Sequence, residues 1–161
     1  MARILKPPAL LELHAGERSV FLAGSIEMGQ AGPWQVEVER ALADQDIAIL
    51  NPRRDAWDAS WEQSIRNPMF RSQVEWELLA QEQATIIAMY FAPDTKAPIT
   101  LLELGLFARS GKLIVACPDG FWRKGNVEVV CDRYGILMVA SLAELIDQVR
   151  LRLKEQKEQQ P

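Results

Sequence analysis

"TIIAMYF", residues 85–91, is an uninterrupted apolar run in a chain where charged residues are otherwise frequent. Such a run reads as a central strand buried on both faces, and strands of that kind belong to parallel sheets covered by helices. The pattern extends in both directions from it. Upstream, "MFRSQVEWELLAQEQA" (69–84) reads as a helix with Phe70, Val74 and Leu78 on one face. "IAILNP" (47–52) is a second strand, stopped by Asn-Pro, and "SVFLAG" (19–24) is a third that ends in glycine. Between them "PWQVEVERALADQD" (33–46) sets Trp34, Val38 and Leu42 four residues apart, along one helix face. Pro33 suits the first turn of that helix. Downstream, "KLIVACP" (112–118) is a strand, and "NVEVVCDRYG" (126–135) a helix capped by Asn126 and closed by glycine. "ILMVA" (136–140) is the last strand, and a closing helix from 141 ends in a charged tail expected to fray over 152–161.

Strand and helix alternate five times. The expected architecture is α/β: a doubly wound, five-stranded parallel sheet with helices on both faces, flavodoxin- or Rossmann-like. One domain over 1–161 suits the length. Residues 1–18 precede the pattern, and "ALLELHAGER" (9–18) is a candidate extra edge strand and turn. The net charge of −4 gives no reason to expect nucleic acid or a membrane surface as partner. No apolar run approaches the roughly 20 residues that span a bilayer, and no signal-peptide core opens the chain, so a cytoplasmic location is expected. A single histidine, His14, argues against histidine-based zinc sites and a Ser-His-Asp triad. Cys117 and Cys131 form no metal or redox motif and read as small core residues. No cofactor is expected.

In sheets of this kind ligands sit beyond the carboxyl ends of the strands, here just after Ala23, Leu50, Phe91 and Pro118. The first such place is "AGSIEMGQAGPW" (23–34), a glycine-containing turn before a helix, where Gly24 and Ser25 could meet a phosphate or a ribose hydroxyl. It matches neither GxGxxG nor a Walker A loop, and glycine is common in strand-to-helix turns anyway. The second is "NPRRDAWDASW" (51–61). Asp55 and Asp58 stand beside Trp57 and Trp61, a combination that suits a flat heterocyclic base and equally suits a loop pinned to the core by its indoles.

The third is "TLLELGLFARSGK" (100–112), where one carboxylate, Glu103, sits among Leu101, Leu102, Leu104, Leu106 and Phe107. A carboxylate there bears a large desolvation cost unless something satisfies it. Thr100 and Glu103 fit the S/T-x-x-E capping box, which would explain the residue by folding alone. The same segment should open toward the ligand crevice. There a helix N-terminus favours the charged form, and an ionised, partly desolvated carboxylate could attack a sugar carbon.

Four stretches, "VFLAGSI", "NPRRDAW", "QVEWELLAQEQATIIAMYF" and "LLELGLFARSGKLIVACPDGFWRKGN", resemble the nucleoside 2-deoxyribosyltransferase superfamily, in particular its nucleoside 2-deoxyribosyltransferase-like branch. The similarity runs from about Val20 to Tyr134 and is most specific at Glu103-Leu-Gly105 through Gly111-Lys112. The resemblance implies a doubly wound α/β fold, a homodimer or larger homo-oligomer, a small-molecule nucleoside or nucleotide as partner, and cleavage of an N-glycosidic bond without metal or redox cofactor. The deoxyribosyl group would pass to another base or to water. It makes Glu103 the nucleophile, forming a glycosyl-enzyme intermediate. It places Glu77, with Glu75 close by, near the reacting group, and Asp94 or Asp55 at the departing base. Gly24 and Ser25 would fall on the sugar or phosphate side. Asn126 would reach the 5′ end, in relatives often from a neighbouring subunit, and Arg123 and Lys124 could meet a 5′-phosphate or be ordinary surface charges. Relatives carry a tyrosine on the first strand that orients the nucleophile; here that position is Phe21. Either another group, with Tyr90 the candidate, orients Glu103, or the activity differs. A nucleotide-binding or sensor module without turnover is the competing reading, and a flavodoxin-like electron carrier a third that lacks a phosphate loop.

Overall fold

The computed structural model describes residues 1–25, 32–54 and 58–159. Eleven elements follow in order: β1 (Arg3–Leu5), β2 (Ser19–Gly24), α1 (Trp34–Ala41), β3 (Ala48–Leu50), α2 (Pro68–Gln83), β4 (Ile86–Tyr90), α3 (Pro98–Phe107), β5 (Leu113–Ala116), α4 (Lys124–Tyr134), β6 (Leu137–Val139) and α5 (Leu142–Glu158). The strands form one sheet in the order β1-β3-β2-β4-β5-β6, and every pairing is parallel.

The pleat explains the layering. Successive strand residues point to opposite faces. Val20 and Leu22 of β2, with Ile86 and Ala88 of β4, join Trp34 and Val38 of α1 and Leu145 and Val149 of α5. Phe21, Ala23, Ile87 and Met89 turn the other way, onto Ala80 of α2, Leu104 of α3 and Val127 of α4. Helices therefore cover both faces. Full burial of side chains such as Phe21 and Leu22 favours the fold by about 1.5–3 kcal/mol each. From β2 the chain reaches β3 on one side and β4 on the other, so the topological switch lies between β2 and β4, where ligands of such sheets bind.

Several expectations are corrected. The sheet has six strands, not five. The extra edge strand is β1, Arg3–Leu5, in parallel register with Ala48–Leu50, and no strand forms in 9–18. Three residues are too few to show a period-2 pattern, and β1 exists because β3 would otherwise present an unpaired edge. The 9–18 segment is tied down by side chains instead: Arg3 donates to both carboxylate oxygens of Glu17, at 3.0 and 2.6 Å, and Trp76 Nε1 donates to the Ala9 carbonyl at 3.0 Å. The capping box does not form. The residue before α3 is Ala97, in the left-handed region at φ 44°, Pro98 opens the helix, and Thr100 lies inside it. Asn126 is not a cap either, since α4 begins at Lys124 with Arg123 before it; Gly135 closes that helix at φ 63°, as the sequence implied. The closing helix does not fray from 152: it runs to Glu158, with Leu153 fully buried.

Candidate active site

Helix α2 sets up the site. Asn67 caps it, its side chain accepting from the backbone N–H groups of Met69 and Phe70, and Pro68 occupies the first turn. Its fully buried residues are not the expected Phe70–Val74–Leu78 row, which is half-buried, but Gln73, Ala80 and Gln81. Gln73, Glu77 and Gln81 recur at intervals of four and so line one face. Gln73 Nε2 donates to the Pro52 carbonyl and to Glu77 Oε1, both at 3.0 Å. Gln81 Nε2 donates to the Glu77 carbonyl at 3.2 Å.

Glu103 comes to this face from α3. It is 8% exposed, so the cost that the sequence posed is real. Burial, and after it the charge of Glu77, push its pKa up to about 8, opposed by the Gln81 side chain. Burial likewise raises Glu77, opposed by the Gln73 amide. Glu103 lies five residues into α3, beyond the first turn where the helix dipole acts. The α3 dipole therefore does not favour the charged form as expected, and burial works against it. The influence runs one way: the charge of Glu77 raises Glu103, while the rise of Glu77 comes from its own burial.

The carboxyl ends of β2 and β4 are tightly built. Gly24 leaves no room for a side chain: a Cβ there would lie 2.5 Å from Trp34 Cζ2 and 2.7 Å from the Tyr90 carbonyl oxygen. Trp34 Nε1 donates to the Ser25 carbonyl at 3.0 Å, and its ring meets Tyr90 edge-on at 5.5 Å. Tyr90 therefore lies on the α1 and α5 face of the sheet, opposite Phe21, and is no substitute for the absent tyrosine. Phe21 itself is core, 1% exposed. The loop after β4 is held by Thr95, whose hydroxyl donates to the Ala92 carbonyl at 2.8 Å, and by Trp122 Nε1 to the Lys96 carbonyl at 2.9 Å. Asp94 sits in it, exposed, at φ 60°. Left-handed backbone at both Asp94 and Ala97 is a concentration of strain of the kind found at functional loops.

Other candidates stand apart. Glu75 is exposed and paired with Arg71 at 2.8 Å. Asp58 accepts from the Ser60 backbone and hydroxyl in a local turn. Arg54 lies 4.8 Å over the ring of Trp61. Asn126 is exposed on α4, Lys124 is paired with Asp119 at 2.7 Å, and Arg123 lies over Trp122 at 4.4 Å. Asp55 and Trp57 lie outside the described residues. Gln73 and Gln81 were missed by the sequence reading, although their spacing about Glu77 was there to be seen. So was Gln35, in the first turn of α1, buried with neither polar side-chain atom partnered among the described residues. Two open depressions, of about 440 and 360 Å³, lie at the opposite, amino end of the strands, against Arg18, Asp46 and Lys157. Cys117 and Cys131 are free and buried. Among the described residues no helix is long and apolar enough to cross a membrane, and no histidine, cysteine or carboxylate cluster could hold a metal ion.

A parallel sheet covered by helices on both faces defines the class of the fold as doubly wound α/β. The model of the nucleoside 2-deoxyribosyltransferase-like family matches residues 17–121, and the chain belongs to that family. The match takes in Gly24, Ser25, Glu77, Asp94 and Glu103 and stops short of Asn126. No curated protein matches the chain.

Proposed function

We propose that the protein cleaves the N-glycosidic bond of a deoxynucleoside or its nucleotide, with Glu103 as nucleophile. The observation that supports the reading is Glu103, a carboxyl only 8% exposed on α3, within the segment matched by the family. Glu103, once ionised, attacks C1′; the bond from C1′ to the base nitrogen breaks, and the base leaves with the electron pair. A free base or water then attacks C1′ and releases Glu103, the two-step retaining course of glycosidases. The negative charge of the pair stabilises the oxocarbenium-like transition state. The departing base takes its proton from Asp94, which the strained loop holds beyond β4. Gly24 and Ser25 border the sugar, and Asn126 serves its 5′ end. Asp55 and Trp57 contribute to the base site on sequence grounds.

A homodimer belongs to the proposal. Helix α3 turns an apolar face outward, with Ile99 at 58%, Leu102 at 59% and Leu106 at 56% exposed. Such a face suits burial against a second copy of the chain.

One observation favours the alternative, a nucleotide-binding module without turnover: burial pushes the Glu103 pKa up, against the charged form that a nucleophile needs. Incubation with 2′-deoxyinosine, with and without a free acceptor base, separates the readings. Base exchange marks a transferase, and release alone a hydrolase. Binding by calorimetry without either marks the module. For an enzyme, Glu103→Ala abolishes turnover while circular dichroism keeps the native spectrum; retention of most of the rate would remove Glu103 from the chemistry.

A further inference from the structure

We propose that Trp122 is the positioning residue for Asp94: its indole straps the loop after β4 to the loop after β5, and so holds the Asp94 carboxyl where a departing base needs a proton. The proposal rests on Asp94 being the proton donor of the N-glycosidic cleavage.

The two loops leave the carboxyl ends of neighbouring strands, since β4 pairs with β5. Trp122 Nε1 donates to the Lys96 carbonyl at 2.9 Å. The Asp94 backbone N–H donates to the Gly120 carbonyl at 3.4 Å. Asp94 therefore has one tie on its own amide and a second two residues on, both anchored in 120–122. The anchoring loop is itself fixed. Phe121 is buried, its ring 4.8 Å from that of Phe91, and Lys124 pairs with Asp119 across the loop at 2.7 Å.

This bracing answers a need of the backbone. Asp94 and Ala97 are both left-handed, at φ 60° and 44°, although neither is glycine. Such conformations persist only where the surroundings over-determine them. Thr95 and Ala97 are buried, and the Thr95 hydroxyl donates to the Ala92 carbonyl at 2.8 Å, which fixes the inner side of the loop. Asp94 and Lys96 face outward, and the strap fixes that side. Folding alone does not call for an indole here. Trp122 is 54% exposed, so much of its apolar surface stays in water, and water would satisfy its N–H at little loss. Instead the ring is held across its face by the Arg123 guanidinium, 4.4 Å from the centroid, and at its edge by Lys96.

The test compares two nucleosides that differ in their need for an acid. The base of 2′-deoxyinosine gains a proton as its bond to C1′ breaks and the electron pair leaves with it. The base of 7-methyl-2′-deoxyguanosine is already cationic, and the same electron pair neutralises it without a proton from the protein. Trp122→Phe keeps a ring and removes the N–H. In it kcat for 2′-deoxyinosine falls about tenfold or more, and the rate for the methylated nucleoside stays within about twofold. Asp94→Ala shows the same selectivity more strongly. Hydrogen exchange of the Asp94 amide quickens about tenfold in Trp122→Phe, while the amides of β4 exchange as in the parent protein. Benzothienylalanine at position 122, which replaces the indole N–H with sulfur, repeats the measurements if the phenylalanine variant does not fold. A merely structural tryptophan would lower both rates together. Equal losses on the two nucleosides, no loss on 2′-deoxyinosine, or unchanged exchange at Asp94 overturns the proposal. Quickened exchange in a protein that cleaves neither nucleoside upholds the strap and overturns the enzyme reading.

Discussion

Glu103 and Glu77 share one buried space, so the folded chain takes up a proton that the unfolded chain releases near pH 4.5. The folded pKa of Glu103 lies above the unfolded value. Its contribution to stability is therefore fully present below about 4.5 and is lost as pH rises through about 8. Glu103→Gln mimics the protonated acid and removes this dependence. The variant is expected to match the parent in urea unfolding near pH 4 and to exceed it by about 2–4 kcal/mol at pH 9. Parallel stabilities across that range would mean the carboxyl is solvated. In an enzyme the same titration enters the rate: kcat/KM rises with pH toward about 8 as the nucleophile ionises. A rate that is flat between pH 6 and 9 would contradict it. At this scale the sequence disclosed the problem, one carboxylate among leucines, but not its solution. Glutamines in a helix usually face water, and only the packing of α2 against the sheet buries Gln73 and Gln81.

The elements were legible where an apolar pattern sets them. β2 and β4 fall where continuous apolar runs place them, because the sheet is covered on both sides, and the Trp34–Val38 face of α1 falls where its spacing of four does. Boundaries governed by backbone geometry were not legible. The start of α3 depends on a left-handed alanine before a proline, which no propensity announces. Gly24 shows how a phosphate-loop signature can have a packing cause. It is glycine because Trp34 and the β4 backbone close over it. Gly24→Ala is expected to cost about 1–3 kcal/mol by overpacking, read as a lowered thermal midpoint. An unchanged midpoint would show that Trp34 can move aside.

Across the whole molecule the unexplained surface is the outer face of α3, where Ile99, Leu102 and Leu106 follow one another at intervals of three and four. Leu102→Glu is expected to convert a dimer to a monomer in sedimentation or light scattering while leaving the circular dichroism spectrum intact. A parent protein that is monomeric at micromolar concentration would remove the dimer from the proposal. At this scale, too, the N-terminal segment finds its place, with β1 on the edge of β3 and Ala9 held by Trp76. Neither contact could be foreseen, because both join residues far apart in the chain.

The amino-acid order alone determined the parallel α/β architecture, the strand cores and the presence of a costly carboxylate at position 103. These follow from local hydrophobic periodicity and from desolvation, which act over a few residues. Only the tertiary structure decided that Glu103 is buried, with its pKa pushed up, and that Gln73 holds Glu77. The pKa of a buried group is set by the charges and dipoles folded around it, and here those come from a different helix.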